Sequence, residues 1–142
     1  MQIRIFKEAD TAAVSALWQE VFPDGPPHNA PAVAISQKLE YQPELFFVAE
    51  IDGEIAGTML CGYDGHRGWL YLLAVSPAHR REKIGIRLVR HAEHALTARG
   101  CTKINLQTRA TSPDAAIFFH TLGYEVEELV SMGKRFAYAV AS

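Results

Sequence analysis

Hydrophobic and polar residues alternate in several short segments of the chain, a pattern typical of β-strands with one buried face. Residues 2–6 show this alternation, and other segments are apolar runs bounded by turn-forming residues. The predicted strands are residues 2–6, 45–51, 54–63, 70–75, 103–108, 125–130 and 132–138. Asp52 and Gly53 predict a tight hairpin turn between the second and third strands, and the last two strands predict a closing hairpin.

Other segments repeat apolar residues at the spacing of an α-helix. Helices are predicted after the capping pair Asp10 and Thr11, after Pro31, from Ile84 to about residue 99, and from the cap Ser112 to Gly123. The first helix is expected to bury Ala13, Val14, Leu17, Trp18 and Val21. The third is expected to bury Ile84, Leu88, Val89, Ala92, Ala95 and Leu96.

The order of these elements predicts an α/β fold in which a central mixed β-sheet carries helices on both faces. The helix that starts at Ile84 connects two strands of this sheet, and such a crossover makes the two strands parallel. No linker or repeat interrupts the pattern, so residues 1–142 are expected to form a single domain.

Composition excludes several classes of function. A formal net charge of −2 argues against nucleic-acid binding, which normally requires a basic surplus. No apolar run approaches the ~20 residues that a membrane-spanning helix needs, so no membrane partner is expected. Cys61 and Cys101 are isolated, which favours buried packing roles, the reducing cytoplasm and no metal site.

A candidate anion site lies where the predicted strand 70–75 passes through a basic turn into the helix at Ile84. The free N–H groups of a helix start carry partial positive charge, and Arg80, Arg81 and Lys83 add full charges beside them. A phosphate or diphosphate suits such a site. The residues alone leave a second interpretation equally open, in which this basic run is an ordinary solvated surface.

The segment AVSPAHRREKIGIRLV, residues 74–89, resembles motif A of the GNAT superfamily of acetyl-CoA-dependent N-acetyltransferases. Arg80 and Gly85 match the motif, while Lys83 stands where its first glycine is usual. A lysine suits that position if the backbone φ is negative there. The resemblance covers nearly the whole chain and is closest to the small bacterial ribosomal-protein-alanine type and the YpeA branch.

This resemblance implies acetyl-CoA as cosubstrate and assigns its binding residues. The family binds the diphosphate through the backbone of the turn and helix start, and binds the pantetheine and thioester along the central strand. The implied cofactor-binding residues are Leu73, Ala74, Val75, Arg80, Arg81, Glu82, Lys83, Ile84, Gly85, Ile86, Ser112 and Phe119. The Glu82 side chain is expected to point away from the anion, and the central strand is expected to part from its parallel neighbour near Val75.

The resemblance does not supply catalytic side chains. Ala115 and the pair Gly123-Tyr124 match the family's second helix motif, with Ser112 in place of its asparagine. The family's tyrosine acid falls on Phe119. Its glutamate base falls on Gln107 or, in another group of relatives, on Trp69. The catalytic residues are therefore unknown, and the weak candidates are Tyr124, Glu50, Tyr71, Asp64 and His66.

The predicted function is a cytoplasmic N-acetyltransferase that passes acetyl directly from acetyl-CoA to a primary amine of a small molecule, peptide or protein. The alternative is an acyl-CoA-binding regulatory or sensor module with weak or no catalysis, and a homodimer is left open. The early helical region is acidic and would suit a cationic amine, although the pattern favours ordinary helix-surface charge. The acidic residues are Glu20, Asp24, Glu40 and Glu44, and the aromatic residues considered for a pocket are Trp18, Phe22 and Trp69.

Overall fold

The computed structural model describes residues 1–25, 30–80 and 82–136. Within them the strands are β1 Gln2–Ile5, β2 Phe46–Ile51, β3 Glu54–Tyr63, β4 Gly68–Val75 and β5 Ile104–Asn105. The helices are α1 Thr11–Val21, α2 Pro31–Glu40, α3 Ile84–Thr97 and α4 Pro113–Thr121. Contacts divide the chain into two compact units, residues 1–107 and 108–142. The whole sheet and α1 to α3 belong to the first unit, and α4 belongs to the second.

The strands form one sheet in the order β1-β2-β3-β4-β5. Neighbours from β1 to β4 pair antiparallel, whereas β4 and β5 pair parallel. Helix α3 makes the crossover between the two parallel strands, as the sequence predicts. The expected mixed sheet is confirmed.

Helices cover both faces of this sheet. Adjacent residues of one strand point to opposite faces, so neighbouring side chains contact different helices. On one face Phe46 stacks on Phe6 and on Trp18 of α1, with ring centroids 4.2 and 5.8 Å apart. On the other face Phe47 contacts the ring of His91 in α3, at 4.5 Å. The predicted placement of helices on both faces is therefore confirmed.

Helix α3 packs closely against the sheet at Gly57 of β3. A Cβ atom on Gly57 would lie 2.9 Å from the Ala74 carbonyl oxygen, 2.9 Å from Leu88 Cδ1 and 3.0 Å from Ile84 Cγ2. The absence of a side chain at Gly57 lets the first turns of α3 approach β3 and β4. This contact holds the start of α3 next to the end of the central strand.

Two strand predictions near the end of the chain are wrong. Strand β5 covers only Ile104–Asn105, instead of residues 103–108, because it leaves β4 after two pairs. The closing hairpin is not formed within residues 125–136, and residues 137–138 of its second strand lie outside the described residues. Val126 and Val130 are 91% and 87% exposed, so this segment buries no apolar face, and an isolated hairpin without one is at best marginally stable.

Local turn and cap predictions have mixed outcomes. Asp52 and Gly53 have φ of 51° and 81°, which confirms the tight hairpin turn. Gly123 follows α4 with φ of 97°, as expected of a glycine that ends a helix. Neither Asp10 nor Ser112 makes the predicted side-chain cap. The Asp10 carboxylate instead binds the Arg4 guanidinium, at 2.7 and 2.9 Å.

Most of the predicted buried residues of the helices are in the core. Val14, Leu17 and Trp18 of α1 are buried, whereas Ala13 is exposed, so that prediction is wrong. A small side chain at the edge of a helix face reaches no neighbour, which explains the exposure of Ala13. The α3 residues Ile84, Leu88, Val89, Ala92 and Leu96 are buried, and Ala95 is half-buried.

Candidate functional site

The central strand β4 contains a bulge where it faces Met59 of β3. Thr58 is opposite Ala74 and Leu60 is opposite Tyr71, so Met59 faces two residues, 72 and 73. Leu72 has a positive φ of 49°, which is rare for a residue with a side chain. Such a bulge bends the strand and changes the direction of the residues that follow, here residues 73–75.

A chain of hydrogen bonds holds the bulge in place. The Trp18 indole N–H donates to the Thr58 hydroxyl at 2.8 Å, and this hydroxyl donates to the Leu72 carbonyl at 3.0 Å. Trp18 and Thr58 are 1% and 0% exposed, so water does not compete for these bonds. Trp18 is therefore a core residue and does not line a pocket. The sequence signal for this arrangement is a threonine among apolar residues in a buried strand.

Strand β4 parts from its parallel neighbour early. The pairs with β5 are Gly68 with Ile104 and Trp69 with Asn105. In the described part of the chain, residues 70–75 of β4 have no parallel partner. The sequence analysis expected the two strands to separate near Val75, and in the structure they separate earlier, after Trp69. The backbone of Leu73 to Val75 therefore makes no sheet ladder with β5, as hydrogen bonding to a ligand on that side would require.

The start of α3 presents free backbone N–H groups just beyond the end of β4. The Arg87 amide makes a helical hydrogen bond to the Lys83 carbonyl, at 3.2 Å, so the amides of Ile84, Gly85 and Ile86 precede it. Lys83 is the N-cap residue, and no side chain of the described residues caps the helix there. The helix start is thus not blocked by the protein's own groups in the described chain.

The basic turn before α3 differs from expectation at Lys83. Its backbone is left-handed, with φ of 60° and ψ of 25°, so the negative φ that suits a lysine is not found. The Glu82 carboxylate contacts His79 Nδ1 at 2.8 Å, so the turn itself holds this negative charge. Arg80 and Lys83 are exposed, and Arg81 lies outside the described residues.

An open pocket of about 820 Å³ lies beside the bulge, within the first unit. It is lined by α2, the end of β3, the first half of β4 and Gln107. The lining residues are Ala34, Gln37, Lys38, Tyr41, Gln42, Leu60, Gly62, Tyr63, Asp64, Trp69, Leu70, Tyr71, Leu72 and Gln107. The structure thereby brings together Asp64, Trp69, Tyr71 and Gln107, four residues that the sequence analysis considered separately.

Ionisable side chains in this pocket have shifted pKa values. The backbone N–H groups of His66 and Arg67 both donate to Asp64 Oδ1 at 2.7 Å, which lowers the pKa of this carboxyl group and keeps it ionised. Burial raises the pKa of the Tyr71 hydroxyl and lowers that of the Lys38 ammonium. Lys38 was not singled out in the sequence, because a lysine near the end of an amphipathic helix has no distinctive pattern.

Other candidate residues lie outside the pocket. Glu50 accepts a hydrogen bond from Arg4 at 3.0 Å and shares this guanidinium with Asp10. In the second unit, the Phe119 ring contacts that of Tyr124, with centroids 5.8 Å apart. Ser112 precedes α4 as its N-cap residue in the same unit.

The early acidic residues do not line the pocket either. Glu20, Asp24, Glu40 and Glu44 are all absent from its lining, and Glu44 binds Arg99 at 2.8 Å. His66 contributes a backbone N–H to the turn at Asp64. The expected acidic surface around the acceptor is therefore not part of this pocket.

Neither a metal-binding cluster nor a membrane-spanning helix occurs among the residues that the structure describes. No group of three or more His, Cys, Asp or Glu side chains there has an arrangement that could hold a metal ion. None of the helices in the same residues combines the length and the apolar character needed to cross a bilayer.

Comparison with known proteins agrees with this geometry. Residues 11–124 match the model of the acetyltransferase (GNAT) family. Over 135 residues, 95% of each chain, the protein is 42% identical to an acetyltransferase of Pectobacterium atrosepticum. Its fold is similar to that of Ard1 from Thermoplasma volcanium, with a TM-score of 0.80 and 20% identity over 89% of this chain and 83% of that one. It is also similar to a PaiA N-acetyltransferase from Thermoplasma acidophilum, solved with coenzyme A, with a TM-score of 0.78 and 17% identity over 91% and 92% of the two chains.

Proposed function

The chain belongs to the GNAT family of acetyltransferases, and we propose that it transfers acetyl from acetyl-CoA directly to a primary amine of a small molecule or peptide. The family match confirms the resemblance seen in motif A and the assignment as an acetyltransferase. The amine, the residues that act and the cytoplasmic location are part of the proposal. The two free, buried cysteines support a reducing compartment.

The observation that carries the proposal is the uncapped start of α3 beside the open edge of β4. The amides of Ile84, Gly85 and Ile86 would bind the diphosphate, and Arg80, Arg81 and Lys83 would add positive charge. Leu73, Ala74 and Val75 would bind the pantetheine and thioester through their backbone. Ser112 and Phe119 would also contact the cosubstrate, as the resemblance implies.

The transfer needs positioning more than acid and base side chains. The amine nitrogen forms a bond to the acetyl carbon, the carbon–sulfur bond breaks, and the proton lost by the amine ends on the thiolate of coenzyme A. A backbone N–H of β4 would stabilise the negative oxygen that develops on the thioester. A thiol has a pKa of about 8.5 and leaves readily near pH 7, so an enzyme with Phe119 in the acid position can still turn over.

Proton carriers are proposed from the residues that the structure brings to the pocket. Tyr71 and Asp64 line it, whereas Gln107, in the family's base position, carries no exchangeable proton. Tyr124 contacts Phe119 and supplies a hydroxyl next to the acid position in α4's unit. Glu50 has a structural ion pair with Arg4, which makes it the weakest of these candidates.

Calorimetric titration with coenzyme A tests the cosubstrate site. We expect saturable binding to the native chain and at least tenfold weaker binding to Gly85→Asp, because the new carboxylate repels the diphosphate. Aspartate in the first turn favours the helix itself, so Gly85→Asp should remain folded. Gly133→Asp is the matched control, because nothing lies within 4 Å of a Cβ at that residue. Absence of binding to the native chain would refute the proposal.

A second candidate function is an acyl-CoA-binding regulatory or sensor module. Phe119 and Gln107 in place of an acid and a base favour it, since neither side chain can exchange a proton at neutral pH. A thiol-release assay with acetyl-CoA and panels of amines, peptides and aminoglycosides separates the two candidates. Tight acetyl-CoA binding without turnover on any acceptor would favour the module.

A further inference from the structure

The pocket beside the bulge contains a positive charge where the sequence suggested negative ones. Lys38 of α2 lines it together with the aromatic residues Tyr41, Trp69 and Tyr71. The Asp64 carboxylate lies at the end of the pocket where the β3–β4 hairpin turns. The lining of this pocket therefore includes both a cation and an anion.

Lys38 occupies its position because β3 extends beyond β2. The β2–β3 ladder ends at the pair Phe46 and Leu60, so the next residues of β3 have no β2 neighbour. Side chains replace that neighbour. The Lys38 ammonium donates to the Cys61 carbonyl, and the Gln42 amide donates to the Tyr63 carbonyl at 2.7 Å and accepts from its N–H at 3.0 Å.

The ammonium of Lys38 is left with unused hydrogen-bonding capacity. An ammonium has three N–H donors, and the Cys61 carbonyl accepts from one of them. No carboxylate of the described residues lies within ion-pair distance of Lys38. Burial lowers the pKa of Lys38, and the attraction of Glu44, which lies beyond ion-pair distance, offsets only part of that effect.

An anionic group on the ligand would supply this compensation. A partly buried cation without a partner is unfavourable, whereas a carboxylate that accepts charge-assisted hydrogen bonds from it is strongly bound. The aromatic side chains that line the same pocket offer apolar contacts to the rest of such a ligand. The positive end of a polycationic amine could approach Asp64, but a second ammonium near Lys38 would meet a like charge.

We propose that the acceptor is a small amine that carries a carboxylate, and that Lys38 binds this carboxylate in the pocket formed by α2, β3 and β4. The inference rests on the proposed acetyltransferase function. Lys38 contacts Cys61, which is opposite Leu70, and the bulge follows two residues later. This places the anion subsite roughly 7 Å along β4 from the bulge. One small molecule therefore spans both points, with its amine at the thioester.

Matched pairs of acceptors test the proposal in the thiol-release assay. Each pair shares the amine and differs in the carboxylate, as in 4-aminobutyrate with propylamine, lysine with cadaverine, and phenylalanine with phenethylamine. For the carboxylate-bearing amines that the enzyme uses best, we expect kcat/KM to be at least tenfold higher than for the paired amine without the carboxylate. In Lys38→Met this advantage should disappear, mainly through a raised KM, whereas Lys38→Arg should keep most of it. Lys7→Met, at an exposed lysine outside the pocket, is the matched control.

The outcomes separate this inference from the proposed function. Equal or better use of the amines that lack a carboxylate would overturn the anion subsite and leave acetyl transfer intact. An equal loss in Lys38→Met for both members of every pair would also overturn it, since that result indicates only the structural bond to Cys61. If coenzyme A binds and no amine is acetylated, calorimetry with 4-aminobutyrate in the presence of coenzyme A decides. Absence of Lys38-dependent binding there would refute the subsite.

Discussion

Individual residues near the site adopt backbone conformations that their side chains disfavour. Leu72 in the bulge and Lys83 before α3 both have positive φ, at 49° and 60°. Each left-handed residue with a side chain costs roughly 1 kcal/mol relative to glycine. Both lie where the backbone would bind the cosubstrate, which is the usual location of such strain. Glycine adopts a positive φ without this cost, which explains why the family has a glycine at the position of Lys83.

Replacement of Lys83 by glycine should remove this strain. We expect Lys83→Gly to change the free energy of unfolding by no more than about 1 kcal/mol, because relief of the left-handed strain is offset by the greater freedom of glycine in the unfolded chain. Lys83→Val should destabilise clearly, since a β-branched residue tolerates positive φ poorly. Urea denaturation of both variants measures this. Equal stabilities for the glycine and valine variants would show that the backbone at residue 83 is not left-handed.

The ion pair of Arg4 with Asp10 should make stability depend on pH. The Arg4 hydrogen bonds hold the pKa of Asp10 below its ordinary value of 3.8. A depressed pKa in the folded state gives stability that is present above 3.8 and is lost as the pH falls through the folded-state value. Both side chains are largely buried, at 17% and 10% exposed.

Asp10→Asn tests this dependence. We expect a loss of about 3 kcal/mol at pH 7, because among the described residues Arg4 then keeps Glu50 alone as an anionic partner. The difference from the native chain should shrink below pH 4, where Asp10 becomes protonated. Urea denaturation between pH 3 and 8 measures it, with the exposed Glu8→Gln as control. A difference that stays constant down to pH 3 would contradict the role of the Asp10 charge.

At the scale of elements, the site depends on how β4 relates to its two neighbours. The bulge against β3 redirects residues 73–75, and the early departure from β5 opens their backbone. Close packing of α3 at Gly57 places the helix start at the end of the same strand. The candidate site is therefore a property of one irregular strand and the helix that follows it.

The hydroxyl of Thr58 should be required for the bulge. Thr58→Val keeps the shape of the side chain but leaves the Trp18 N–H and the Leu72 carbonyl without this partner, at a cost of about 1–3 kcal/mol. We also expect weaker acetyl-CoA binding, since the bulge sets the direction of β4. Chemical denaturation and calorimetry measure the two effects. Thr102→Val, at an exposed residue, should change neither, and equal behaviour of the two variants would refute the role of Thr58.

At the scale of the whole molecule, the family match spans both compact units, since it covers residues 11–124. The first unit contains the sheet, the α3 start and the pocket, and the second contains Ser112, Phe119 and Tyr124. The proposed chemistry assigns cosubstrate contacts to both. The single-domain organisation and a homodimer stay predictions.

The sequence by itself determined the type and order of nearly all elements. Periods of 2.0 and 3.6 residues, and turn residues such as Gly53 and Gly123, depend on local stereochemistry that a short segment already contains. The strand, basic turn and helix of residues 70–97 were readable for this reason. The pattern at residues 125–136 misled, because alternation within one segment does not show whether another strand pairs with it.

Only the tertiary structure decided how the site is built. The bulge at Leu72 depends on Thr58 and Trp18, which are distant along the chain and meet through burial. Lys38 lines the pocket because β3 extends beyond the last residue pair with β2. The relative lengths of two paired strands cannot be deduced from either segment alone. Hydrogen bonds between remote residues and the charge of a pocket arise from packing, whereas the periodicity of an element is already present in its own residues.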